Sequence, residues 1–185
     1  GLPKKLTAAT GFDALGHAVE GIISEWRNDI ADACCYQALS LIMEYLPKAY
    51  ADGKDEAARA KMATAATLGG MGFGNSQVVL GHAAAHAVGA VFHITHGLAV
   101  GIMLPYMLEY SLNDPEDNLT AKLVGNAAKR TGLAEWADPD VEAAKKLINS
   151  IRNLQKLVEL PTSFKEAGIN EEDFENGLER TIELL

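Results

Sequence analysis

Five histidines occur in the chain and are unevenly placed: His17 stands alone, whereas His82, His86, His93 and His96 fall within one stretch of fifteen residues. Asp13 precedes His17 by four positions, and His82 precedes His86 by four. In a helix that spacing puts both members of each pair on one face. A lone histidine on an apolar helix is read as a hydrogen-bonded core residue. Four on apolar elements ask for a shared partner, because each buried without one costs about 1 to 3 kcal/mol, and a single metal ion satisfies several at once. Two such faces meeting in a core would define a metal cage.

Neutral imidazoles with one carboxylate suit Fe²⁺ or Zn²⁺, and the pattern has no thiols near the histidines as a structural cysteine-rich zinc site would require. Ferritin-like di-iron chemistry needs inward glutamates and paired Glu-x-x-His motifs, which the sequence lacks. The spacing therefore predicts a mononuclear site and leaves the choice between iron and zinc open.

The elements that must position these residues read as helices almost throughout. Ala, Leu, Glu, Lys and Met dominate, and apolar residues recur at three and four positions. Thr7 or Thr10 is expected to cap a first helix ending near Ser24, carrying Asp13 and His17. A second helix is expected over 29–50, with Pro47 bending or restarting its end. A third starts at Asp55 and is expected to loosen at Gly69, Gly70, Gly72 and Gly74. Asn75 or Ser76 would cap a fourth, from Gln77 to about Ala90, apolar almost all round and therefore buried. A linker over 91–95 leads to a fifth helix from His96 or Gly97 to Tyr110, kinked at Pro105, and Asn113-Asp114-Pro115 ends it. Three surface helices follow, at about 116–131, 139–158 and 171–184.

Composition bounds the rest. The chain has 185 residues, 48% hydrophobic and 22% charged, which is enough for one helical domain with its own core. A net charge of −9 argues against a nucleic-acid-binding face, which needs clustered Lys and Arg. No apolar run approaches the roughly eighteen residues needed to cross a bilayer. Cys34 and Cys35 are adjacent, so on a helix their side chains diverge; free thiols and a cytoplasmic setting are expected. The glycine-rich run over 69–74 follows a helix and lacks the strand context of a dinucleotide-binding loop. Gly1-Leu2-Pro3 has neither an initiator Met nor a leader, and the last helical pattern stops at Leu184-Leu185. Both ends read as cuts in a longer chain.

Two segments are distinctive: Gly11-Phe-Asp-Ala-Leu-Gly-His-Ala-Val-Glu20, and Gly81-His-Ala-Ala-Ala-His-Ala-Val-Gly-Ala followed by His93-Ile-Thr-His-Gly-Leu-Ala99. Together they closely resemble the signature segments of the iron-containing (group III) alcohol dehydrogenases. The resemblance is strongest from Thr7 to Tyr110. It implies an all-α fold, the C-terminal helical half of a dehydroquinate-synthase-like, iron alcohol dehydrogenase architecture with a buried metal site. On this view residues 1–185 form the metal-binding domain, and the N-terminal nucleotide-binding domain is absent from the chain.

Carried over by position, the resemblance puts the metal ligands on Asp13, His17, His82 and His96. It sets His86 beside the nicotinamide and substrate as the catalytic and cofactor-binding residue, with Phe73 as a pocket-wall aromatic. His93 matches no ligand and is expected in the linker. Glu20, one turn after His17, is expected to be a surface or packing carboxylate. The implied enzyme transfers hydride between an alcohol and an aldehyde, using NAD or NADP and Fe²⁺ or Zn²⁺. A homo-oligomer is compatible with it, and the chain alone would be inactive. Two other readings compete: a glycerol dehydrogenase or dehydroquinate synthase type, which generally uses fewer protein ligands, and a helical metal-binding module without catalysis.

Overall fold

A computed structural model describes residues 1–114 and 118–185. Among the described residues the chain forms helices and no strand: α1 (Lys4–Ile23), α2 (Asp29–Ala51), α3 (Glu56–Phe73), α4 (Leu80–Phe92), α5 (His96–Leu112), α6 (Asn118–Arg130), α7 (Asp140–Leu157) and α8 (Glu171–Glu183). No helix among the described residues is long and apolar enough to cross a membrane. The expected start of the sixth helix at Glu116, and Pro115 at the end of the turn expected before it, lie outside the described residues.

The central element is α1, which packs against α2, α3 and α5. Phe12, Leu15 and Ile22 from α1 are fully buried against Leu39, Ile42 and Leu46 of α2 and Leu104 and Leu108 of α5. Burying side chains of this size stabilises by about 1.5 to 3 kcal/mol each, which is what ties the helices together. The last three helices are not all superficial. Leu123, Val124 and Ala128 of α6 and Leu147, Ile151 and Leu154 of α7 belong to the same core. Amphipathic helices with charged outer faces bury their inner stripe, and the expectation of surface helices overlooked that stripe. Only α8 is peripheral; Thr181 is its one buried residue, and Phe174 holds it by stacking on Phe92 and Phe164.

Several expected boundaries moved for identifiable reasons. α1 begins at Lys4, so Thr7 and Thr10 lie inside it, and the Thr10 hydroxyl donates to the carbonyl of Leu6 at 2.8 Å. α2 runs through Pro47 to Ala51. α3 continues through its glycines to Phe73, and two of them, Gly69 and Gly72, face neighbouring helices. A Cβ on Gly69 would press on the Ala14 carbonyl at 3.3 Å, and one on Gly72 on the Ala31 carbonyl at 3.2 Å. Asn75 and Ser76 do not cap α4; their side chains donate back to the carbonyls of Met71 and Gly72 and close α3. Nor is α4 buried all round, since Leu80, Ala83, His86 and Ala90 are exposed.

Pro105 lies within α5, which continues to Leu112. Proline has no N–H to give the carbonyl four residues before it, here that of Gly101. Gln155 of α7, fully buried, supplies the missing donor through its Nε2 at 2.8 Å. The carbonyl that the proline leaves without its helical donor is therefore satisfied from a distant helix. Cys34 and Cys35 are both free, Cys35 buried, and burial pushes the Cys35 thiol up to about 12.

Candidate metal centre

Three helices converge on one point. Asp13 and His17 project from the middle of α1, His82 and His86 from the first half of α4, and His96 from the first residue of α5. The approach of α5 to α1 depends on Gly97, since any Cβ there would collide with the backbone carbonyl of Ala9. Small residues thus bring His96 against Asp13. The Asp13 Oδ1 atom lies 3.0 Å from His96 Nε2, 3.6 Å from His82 Nε2 and 4.0 Å from His17 Nε2.

None of these contacts has hydrogen-bond geometry: Asp13 Oδ1 and His82 Nε2 are buried polar atoms without a hydrogen-bond partner. Leaving such groups unpaired is costly, so their facing one another points to a cation between them. Asp13, His82 and His96 each offer a ligand atom, all within 4.8 Å of one another. This donor set fits a borderline divalent metal such as Fe²⁺ or Zn²⁺.

His17 comes to the same place but stands at the edge of the trio. Its ring lies between Phe73, stacked at 4.1 Å, and His82, at 4.6 Å. The centre is half open, with His82 and Asp13 inside and the His96 side chain 42% exposed. His86 is exposed and stacks on His96 at 4.9 Å, with its edge toward His82 at 6.2 Å. His93 is exposed in the left-handed conformation that ends α4.

The electrostatics favour positive charge on His82 and oppose it on His17 and His86. Burial pulls His82 down, but Asp13 on one ring nitrogen and Glu20 on the other hold it up at about 9. Burial also acts against the Asp13 carboxylate, yet the neighbouring imidazoles keep it below the ordinary range. His17 is depressed to about 4 by burial, which outweighs the attraction of Asp13. His86 is lowered by burial and by the nearby His96 and His82. A carboxylate thus faces each ring nitrogen of His82 and favours its protonated form.

Glu20 is the residue the sequence reading missed. It is fully buried, and its Oε1 lies 2.8 Å from His82 Nδ1. Its Oε2 accepts from the backbone N–H groups of Val79, at 2.6 Å, and His82, at 3.2 Å. A signal for it did exist. Asp13, His17 and Glu20 stand at i, i+4 and i+7, one stripe of α1, so a carboxylate placed there faces the same interior as the other two.

Residues 7–183 match the Fe-containing alcohol dehydrogenase family, C-terminal, and the chain belongs to that family. It is 38% identical over 175 residues to alcohol dehydrogenase 4 of Saccharomyces cerevisiae, a match covering 95% of this chain and 44% of that protein. The NADPH-dependent butanol dehydrogenase of Clostridium saccharobutylicum is also 38% identical over 175 residues, covering 95% of this chain and 43% of its own. Among solved structures, a 1,3-propanediol oxidoreductase superposes with a TM-score of 0.88 at 35% identity, over 99% of this chain and 47% of that one. The chain therefore spans less than half the length of these relatives.

Proposed function

We propose that this chain supplies the metal-holding helical domain of an NAD(P)-dependent alcohol dehydrogenase, with the nucleotide-binding part provided by chain outside these 185 residues. The observation that carries the reading is the pair of buried, unpartnered atoms, Asp13 Oδ1 and His82 Nε2, with His96 beside them. Asp13, His82 and His96 would hold the ion, and His17, one step outside the trio, would complete the set. When bound, Fe²⁺ or Zn²⁺ supplies the Lewis acidity that lowers the pKa of an alcohol hydroxyl.

The chain's own residues then have separable tasks. Asp13 provides the negative charge that draws a cation into a half-buried site, and the imidazoles provide neutral lone pairs. His86, held below the ordinary histidine value, is neutral at pH 7 and faces solvent. It suits a proton acceptor that passes the alcohol proton to water. Phe73, stacked on His17, forms an apolar wall beside the centre. An alcohol or aldehyde is the substrate class; NADPH is named for one relative and NAD for another, and both stay open here. A cytoplasmic setting fits the two unpaired thiols.

The test is metal analysis after dialysis against buffered Zn²⁺ or Fe²⁺. One equivalent is expected in the parent chain, with loss in Asp13→Ala and His96→Ala. In the assembled enzyme, His86→Ala should slow turnover and keep the metal, whereas His82→Ala should lose both. Equal metal retention by Asp13→Ala and His96→Ala would overturn the assignment.

A further inference from the structure

We infer that Glu20 is a positioning residue for the metal centre: its carboxylate selects the ring tautomer of His82 and at the same time anchors the start of the helix that carries it. The inference rests on the metal reading above and adds to it a residue that touches no ligand position. Three observations carry it. Glu20 is fully buried in α1, and its Oε1 sits 2.8 Å from His82 Nδ1. Its Oε2 accepts from the Val79 and His82 backbone N–H groups. And α4 has no capping side chain of its own, since its first turn is preceded by Val79.

Those facts combine in a simple way. A carboxylate only accepts, so the Nδ1 facing it must carry the ring proton. The Nε2 atom, which points at Asp13, is then free to offer its lone pair to a metal. The same carboxylate takes up two of the N–H groups that the first turn of a helix leaves unsatisfied, and its charge lies at the positive end of α4. One side chain thereby fixes both where His82 stands and which nitrogen it presents. The close approach depends on Gly81, because a Cβ there would lie 2.5 Å from Glu20 Oε1. The partly buried Asp13 carboxylate and the buried Glu20 carboxylate also match the charge of a single divalent ion.

A carboxylate that merely closed a helix end would affect stability alone. Orienting a ligand histidine affects affinity as well, typically by about 10- to 100-fold. The experiment therefore measures Zn²⁺ affinity and melting temperature together for the 185-residue chain and for Glu20→Gln, Glu20→Leu and Asp13→Ala. Affinity is read well below each variant's melting point. Glu20→Gln, nearly isosteric, should bind Zn²⁺ about tenfold more weakly and Glu20→Leu about a hundredfold more weakly. In the Zn²⁺-loaded parent, a long-range ¹H–¹⁵N spectrum should show His82 protonated at Nδ1, with that proton exchanging slowly with solvent. This second measurement needs no variant to fold. Parent-like Zn²⁺ affinity in both Glu20 variants, beside loss in Asp13→Ala, would overturn the positioning role and leave the metal centre standing. A fast-exchanging or absent Nδ1 proton would do the same. A parent that bound no Zn²⁺ would sink both readings.

Discussion

Along α7 the buried positions Ala143, Ala144, Leu147, Ile148, Ile151 and Leu154 are all apolar, and Gln155 alone breaks the run. Charged groups around α6 and α7 find partners: Lys129 pairs with Asp140 at 2.7 Å, and Arg152 reaches across to Glu109 on α5 at 2.8 Å. Along α1 and α4 the inward positions instead carry Asp13, His17, Glu20 and His82, and two of their polar atoms meet no partner. One region buries apolar side chains, and the other brings several polar side chains together. Of the four buried side-chain atoms without a hydrogen-bond partner among the described residues, Asp13 Oδ1 and His82 Nε2 face one another, while Asp32 Oδ1 on α2 and Gln155 Oε1 on α7 lie on other helices. Facing unpartnered groups give up stability, as sites of function commonly do.

The largest effect that should separate the regions comes from the α7 core. Ile151→Ala leaves a cavity beside fully buried neighbours and should cost about 2 to 5 kcal/mol in chemical denaturation. The fraction still folded should bind Zn²⁺ as the parent does. If folded Ile151→Ala molecules lost the metal, the two regions would not be separable.

A smaller effect tests the stitch between them. Gln155→Leu leaves the Gly101 carbonyl unsatisfied and should cost about 1 to 3 kcal/mol. Adding Pro105→Ala restores an N–H within α5 and should recover part of that loss. Strictly additive effects in the double variant would show that Gln155 does not stand in for the N–H that Pro105 lacks.

The pH dependence of the metal-free chain sharpens the comparison, because both contributions come from the site. An unfolded histidine titrates near 6.5. His17, depressed to about 4 in the fold, leaves the native state with fewer protons than the unfolded state between about 4 and 6.5, so stability should fall as pH drops through that window. His82, held at about 9, binds an extra native proton between about 6.5 and 9, so its contribution is full below 6.5 and lost as pH rises toward 9. Melting temperature measured with a chelator present should therefore peak near pH 6.5. His82→Gln should remove the alkaline limb alone; a limb unchanged in that variant would show that another group causes it.

The smallest effect is expected on the outer face of α7. Lys145 and Glu142 are 3.0 Å apart and well exposed, so Lys145→Ala should change stability by less than about 0.5 kcal/mol. A loss several times larger would mean that this pair belongs to a network reaching the core.

Helical periodicity was readable because it is local. The apolar recurrence of α1, α2 and α7 gave their existence and nearly their ends, and the i, i+4 pairs Asp13/His17 and His82/His86 gave two faces that had to meet something polar. Resemblance of the segments around them placed the family and its candidate site residues. Only the folded chain decided what closes those helices and how the faces meet. The carboxylate that starts α4 lies about sixty residues away on α1, and the donor for the Gly101 carbonyl lies on α7, fifty-four residues on. Asn75 and Ser76 carry capping chemistry in their side chains, and they spend it on α3. Capping a helix and satisfying a carbonyl opposite a proline both need a partner within hydrogen-bond reach, and distance along a sequence says nothing about which residue packing will bring there. The same limit applied to Glu20: its place on the Asp13/His17 stripe was legible, but its contacts with His82 and Val79 exist only once α4 is laid against α1.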